Sequence, residues 1–123
     1  LHTSAPGKAY LANLPVKDSE KIIAELKLTR FTPNTITSIS KLTEELKEVR
    51  LLGYGVDREE EMDGQVCIGA VAKNRKNSIA GAIWMVAPSN RMDEKKIKQT
   101  GEMIKQSAEQ LSTNLGYLSL AVA

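Results

Sequence analysis

Two apolar runs separated by five polar residues constrain this chain more than any other feature. Val66 to Ala72 and Ser78 to Val86 contain no charged residue, and Lys73-Asn74-Arg75-Lys76-Asn77 lies between them. Strand-length runs joined by a short polar segment read as an antiparallel β-hairpin. The small and apolar make-up of both runs predicts a sheet buried, at least in part, on both faces. Pro88 closes the second run, because proline cannot donate to a strand ladder. Tyr54 to Glu59 is a third strand candidate.

Helical patterns flank this sheet. Asp93 is a cap for the longest helix, which runs to about Leu115. Its stripe of Ile97, Gly101, Ile104, Ala108, Leu111 and Leu115 recurs at helical spacing on an otherwise polar segment, so it is expected to pack on the sheet. Upstream, Ser38 or Ser40 caps a helix whose face is Ile39, Leu42, Leu46 and Val49, and Gly53 stops it. A shorter helix spans about Lys17 to Leu26, with Ile22, Ile23 and Leu26 on its apolar side. The first helix starts at the Ser4 cap, tolerates Pro6 in its first turn and ends at Pro15. Phe31 to Thr37 reads as a loop with a short extended piece. The fold class is therefore mixed α+β, and 123 residues suit one domain.

The scarce residues exclude much chemistry. One Cys and one His rule out a disulfide within the chain and a Cys/His zinc site of three or four ligands. Asp57 to Asp63 is the densest acidic stretch, yet neither register of a calcium loop places both the glycine and the final glutamate. No Gly-x-Ser-x-Gly or His-Glu-x-x-His motif occurs, and Gly7-Lys8 lacks the hydroxyl residue that a phosphate loop needs next. No metal, cofactor or enzymatic activity is expected. No uncharged run has the length and apolarity of a membrane span, and the first residues lack signal-peptide features. A cytoplasmic protein is expected, which a single thiol fits. A net charge of +2 is too weak for a nucleic-acid surface, so any DNA contact must come from elsewhere.

Three places could carry function, each with a plainer reading beside it. Ser4 to Lys8 opens a helix whose first-turn N–H groups could hold an anion, or it is simply a capped helix start. Asp57 follows apolar Val56 and could accept hydrogen bonds from ligand hydroxyls, or it ends a strand within a solvated acidic loop. Cys67, inside Val66-Cys67-Ile68-Gly69-Ala70-Val71, is a buried structural thiol or one lining a ligand pocket. A nucleophile–base pair of Cys67 and His2 is the weakest option.

The residues in order also resemble a known family. Leu1-His2-Thr3-Ser4-Ala5-Pro6-Gly7-Lys8-Ala9, Phe31-Thr32-Pro33-Asn34-Thr35-Ile36-Thr37 and Glu48-Val49-Arg50-Leu51-Leu52-Gly53-Tyr54-Gly55-Val56-Asp57-Arg58-Glu59-Glu60 are similar to the effector-binding domain of IclR-type bacterial transcriptional regulators. Gly64-Gln65-Val66-Cys67-Ile68-Gly69-Ala70, Pro88-Ser89-Asn90-Arg91-Met92 and the long last helix continue the likeness to about Tyr117. The resemblance implies a GAF-like fold, a twisted antiparallel sheet flanked by helices. It implies a sensor, most often of a repressor, that binds a small organic acid and modulates operator binding by a separate winged helix-turn-helix domain. It further implies a homodimer or homotetramer. Residues 1–117 would be the effector domain, lacking its N-terminal strands and DNA-binding part, and 118–123 a tail.

Carried over by position, the resemblance places Ala5, Pro6 and Gly7 at the loop whose amides hold an effector carboxylate. Asp57 takes the place of the acidic residue that accepts from ligand hydroxyls. Cys67, with Val66 beside it, falls on the strand lining the pocket. Trp84 and Val86 stand at two positions commonly serine in keto-acid binders. Those two departures add bulk and remove hydroxyls, and Pro6 has no amide to offer. They point to a larger, partly apolar acid. The alternative is a pocket filled by Trp84 in a domain kept for oligomerisation.

Overall fold

The computed structural model describes residues 1–117, and the remainder of the apolar tail lies outside the described residues. Three helices come first: α1 (Ala5–Asn13), α2 (Val16–Glu25) and α3 (Ile39–Leu52). Three strands follow, β1 (Gly55–Arg58), β2 (Gln65–Lys73) and β3 (Ile79–Pro88), then a 3-10 turn over Ser89–Arg91 and the long helix α4 (Glu94–Asn114). The strands form an antiparallel meander in the order β1-β2-β3.

Local chemistry sets most boundaries. The Ser4 hydroxyl accepts the Gly7 N–H at 3.0 Å, and the proline sits in the first turn of α1. Ser38 and Asp93 cap α3 and α4 in the same way, accepting from the Lys41 and Lys96 amides at 3.3 and 2.8 Å. Gly53 ends α3 with φ +84°, a left-handed position that suits glycine. The Lys73–Asn77 segment turns the chain between β2 and β3 as expected, with Asn74 Oδ1 accepting the Lys76 and Ser78 amides.

The strand alternation divides the sheet between two helical layers. Val56, Val66, Ile68 and Ala70 face α4 and form a buried cluster with Tyr54, Ile97 and Ala108. Gly55, Asp57, Cys67 and Gly69 share the opposite face, toward α1. On its far side α1 packs on α2 and α3 through Leu11, Ala12, Ile23, Leu42, Leu46 and Val49. The short helix α1 therefore lies between the sheet and the outer helices, and its first turn is fixed over the strands.

Three sequence expectations need correction. β1 and β2 are buried on both faces, but the second apolar run, β3, is not. β3 has no fully buried residue, because α1 and α4 cover this edge strand only in part. The stripe of α4 holds through Ile97, Gly101 and Ala108, but Leu111 and Leu115 are exposed. Ser112 takes the buried place one turn after Ala108, where its hydroxyl accepts the Lys73 N–H at 2.9 Å and donates to the Ala108 carbonyl at 2.8 Å. Finally, Phe31–Thr37 forms no strand. Its threonine hydroxyls bond the turn after β1 instead of a neighbouring strand.

Candidate functional site

The residues singled out in the sequence meet on the α1 side of the sheet. Antiparallel pairing sets Gly55 opposite Gly69 and Asp57 opposite Cys67 on β1 and β2. It sets Gly69 opposite Trp84 and Cys67 opposite Val86 on β2 and β3. Two rows result, Gly55–Gly69–Trp84 and Asp57–Cys67–Val86, with all six side-chain positions on one face. The first turn of α1 lies over the first row. A methyl group added at Gly55 would stand 2.8 Å from the Ala5 carbonyl oxygen, and one added at Gly69 would stand 3.0 Å from the Pro6 nitrogen. The two glycines permit that approach, so any larger residue there would lift the helix end off the sheet.

The second row is the polar one. Asp57 is 1% exposed and accepts the Glu60 N–H at 2.7 Å. Burial raises its pKa above the ordinary carboxylate value, the Glu60 N–H opposes that shift, and the Glu60 charge adds to it. The Cys67 thiol is pushed up to about 11, first by burial and then by the charge of Asp57. A thiol held protonated beside a carboxyl is a weak donor and a poor nucleophile, so the pair favours binding over covalent chemistry. His2 is no partner to it, since its Nε2 bonds the Thr29 carbonyl at 2.9 Å.

At the α1 end the donors are fewer than a bare helix start offers. Pro6 has no N–H, and the Gly7 N–H is taken by the Ser4 hydroxyl. The Ala5 N–H has no partner among the described residues, and the Ser4 hydroxyl keeps its own proton to donate. One amide and one hydroxyl thus remain at the positive end of a helix, where an anion is favoured. Trp84 is 55% exposed and Val86 49%, so the β3 side of the face is open and apolar.

Val66 does not belong with these residues. It neighbours Cys67 in sequence, but strand alternation turns it into the α4 cluster. The acidic stretch also divides differently from a solvated loop. Glu61 and Asp63 are exposed, whereas Glu60 is buried and holds the Nζ of Lys8. Lys8 and Glu60 were missed by reading the sequence. The available signal was Lys8 itself, a lysine amid the small buried residues Ala5, Ala9 and Ala12, where an unpaired charge is not tolerated.

A family model for the C-terminal part of IclR bacterial transcriptional regulators matches residues 1–113. The chain belongs to the IclR family. Two curated relatives carry the name HTH-type transcriptional repressor AllR. The one from Klebsiella pneumoniae is 35% identical over 116 residues, and the one from Escherichia coli K12 is 36% identical. Each alignment covers 94% of this chain and 43% of the relative, so the chain spans less than half the length of those repressors. The Thermotoga maritima IclR crystal structure superposes with a TM-score of 0.89 at 32% identity, over 94% of this chain and 47% of that one. The inducer-binding domain of Acinetobacter PobR, in a double mutant complexed with 3-hydroxybenzoic acid, gives a TM-score of 0.80 at 27% identity, over 90% of this chain and 64% of that one. These IclR-family relatives are regulators rather than enzymes. Among the described residues no helix is long and apolar enough to cross a membrane.

Proposed function

We propose that this IclR-family chain is the metabolite-sensing part of a transcriptional repressor and that its ligand is a small organic acid. The observation that carries this reading is the shared sheet face. It joins a helix N-terminus, a buried carboxyl with its thiol neighbour, and an open apolar strand. A ligand carboxylate would dock at the Ala5 N–H and Ser4 hydroxyl, with Pro6 and Gly7 shaping the turn. Asp57 and Cys67 would meet ligand hydroxyl or carbonyl groups. Trp84 and Val86 would contact an apolar portion, which favours a larger acid over a keto acid of two or three carbons.

Ligand binding would shift the packing of the domain, and a separate DNA-binding domain would read that shift as a change in operator affinity. A homodimer or homotetramer in the cytoplasm fits such a role. The 3-hydroxybenzoic acid in complex with the PobR inducer-binding domain is an acid of the expected kind, and it supports the class without naming the effector here. An indole more than half exposed gives no support to the alternative, in which Trp84 fills the pocket of a domain kept for oligomerisation.

The test is calorimetry of the full-length regulator with keto acids, sugar acids and aromatic acids, paired with operator binding in each. The expected result is saturable binding of at least one acid, lost in Asp57→Ala, with a matching change in operator affinity. No binding by any acid and operator affinity indifferent to all of them would refute the reading.

A further inference from the structure

The two polar ends of the candidate site are joined by a third residue. Glu60 bonds in three directions. Its N–H donates to Asp57 Oδ1 at 2.7 Å. Its carboxylate receives the Lys8 Nζ at 2.7 and 2.8 Å and the Arg58 N–H at 2.9 Å. Its carbonyl accepts the hydroxyls of Thr32 and Thr35, and the Thr32 hydroxyl also reaches the Glu59 carbonyl at 2.6 Å. Glu59 has φ +56°, a left-handed conformation unusual for a non-glycine residue, at the point where the chain turns Glu60 back onto β1.

Lys8 completes the link. Its ammonium is fully buried and bonds the Val56 carbonyl at 2.8 Å and Glu45 of α3 at 3.3 Å besides Glu60. Lys8 lies one turn after Ser4 and Ala5, in the helix whose start would receive the ligand acid. One chain of charge-assisted bonds therefore runs from α1 through Lys8 and Glu60 to the carboxyl of Asp57.

We propose that Glu60 is a positioning residue, which through Lys8 fixes the start of α1 and through its own N–H fixes the Asp57 carboxyl, so that both hold one spacing across the sheet. Such preorganisation matters because a flexible carboxyl must be ordered when the ligand binds, which weakens binding. The value of this spacing for a ligand rests on the sensing function proposed above. The spacing itself does not, and its test needs no ligand.

The Glu60 amide proton reports the device directly. A backbone N–H bonded to a carboxylate shifts in NMR as that carboxylate titrates. The charged or titratable groups around Asp57 are Lys8 of α1, Glu45 of α3, Arg58 of β1, Glu60 and Glu61 of the turn, and Cys67 of β2. The wild-type Glu60 amide should show a pH transition that disappears in Asp57→Asn, which assigns it to Asp57. In Lys8→Met the transition should lose half or more of its amplitude while the circular dichroism stays native, and Lys8→Arg should restore it. Thr35→Val is the second variant: it keeps the ion pair and releases one bond from the Glu60 carbonyl, and in it the amplitude should fall by a smaller amount. Folded variants that keep the full wild-type transition would overturn the proposal, because a lysine that merely stabilises the fold would leave that transition intact.

Discussion

Asp57 and Cys67 face each other across the β1–β2 pairing, and the carboxyl helps hold the thiol in its protonated form. Since Cys67 is the one cysteine, its chemistry reads out this contact without interference. A thiol at about 11 is roughly 0.1% ionised at pH 8, against about a quarter for an ordinary cysteine near 8.5. The higher nucleophilicity of a more basic thiolate recovers part of that difference. Cys67 should therefore react with iodoacetamide at least about tenfold more slowly than a cysteine peptide. Asp57→Asn should speed the reaction by removing the adjacent charge. Mass spectrometry of alkylated protein against time checks both, and equal rates for protein and peptide would contradict the contact.

The raised pKa of Asp57 fixes the sign of a stability effect. The folded chain keeps a proton that the unfolded chain releases near the ordinary value of 3.8. The contribution of Asp57 to stability is thus fully present below that value and is lost as pH rises through the raised one. Asp57→Asn stays neutral and retains an oxygen for the Glu60 N–H. Its melting temperature relative to wild type should rise as pH increases from about 4 toward neutrality. A difference that is flat across this range, or falls, would contradict the assignment.

Removing the Lys8 ammonium leaves the Glu60 carboxylate, 4% exposed, without its cation. Breaking a buried pair from one side costs about 3–5 kcal/mol. Lys8→Met should lose stability on that scale in urea denaturation. Lys47→Met, which breaks the solvent-exposed Lys47–Glu44 pair of α3, should change stability by less than about 1 kcal/mol. Similar losses for the two variants would show that the buried pair has no special weight.

Gly101 of α4 packs against the ring of Tyr54, and a methyl group there would overlap three of its ring carbons. Tyr54 is buried, so the ring cannot swing into solvent to make room. Gly101→Ala gains helix propensity but must displace the ring, and a net loss of about 1–3 kcal/mol is expected. Thermal denaturation measures it, and an unchanged or higher melting temperature would show that the ring has another place to go.

Much of the fold was legible in the sequence because it depends on short-range chemistry. The caps Ser4, Ser38 and Asp93, the stop at Gly53, the polar turn from Lys73 to Asn77 and the stripes of α3 and α4 are all local signals. The ordered motifs pointed to the IclR family, and the family match confirms them. Ala5, Asp57 and Cys67 were found as candidates because helix starts and strand ends advertise polar groups. What the sequence could not decide was the side each residue faces and the partner it finds. Val66 was grouped with Cys67 as its neighbour, and the pleat sends it to the other face. Glu60 looked like one more solvated acid, and only the fold brings it within 2.7 Å of a lysine 52 positions away. Trp84 and Val86 read as buried strand residues, yet both are exposed because α1 and α4 cover the edge strand β3 only in part. Hydrophobic period and capping are set within a few residues of each other. Burial and ion pairing are set by chain segments that meet only once the sheet and helices have packed.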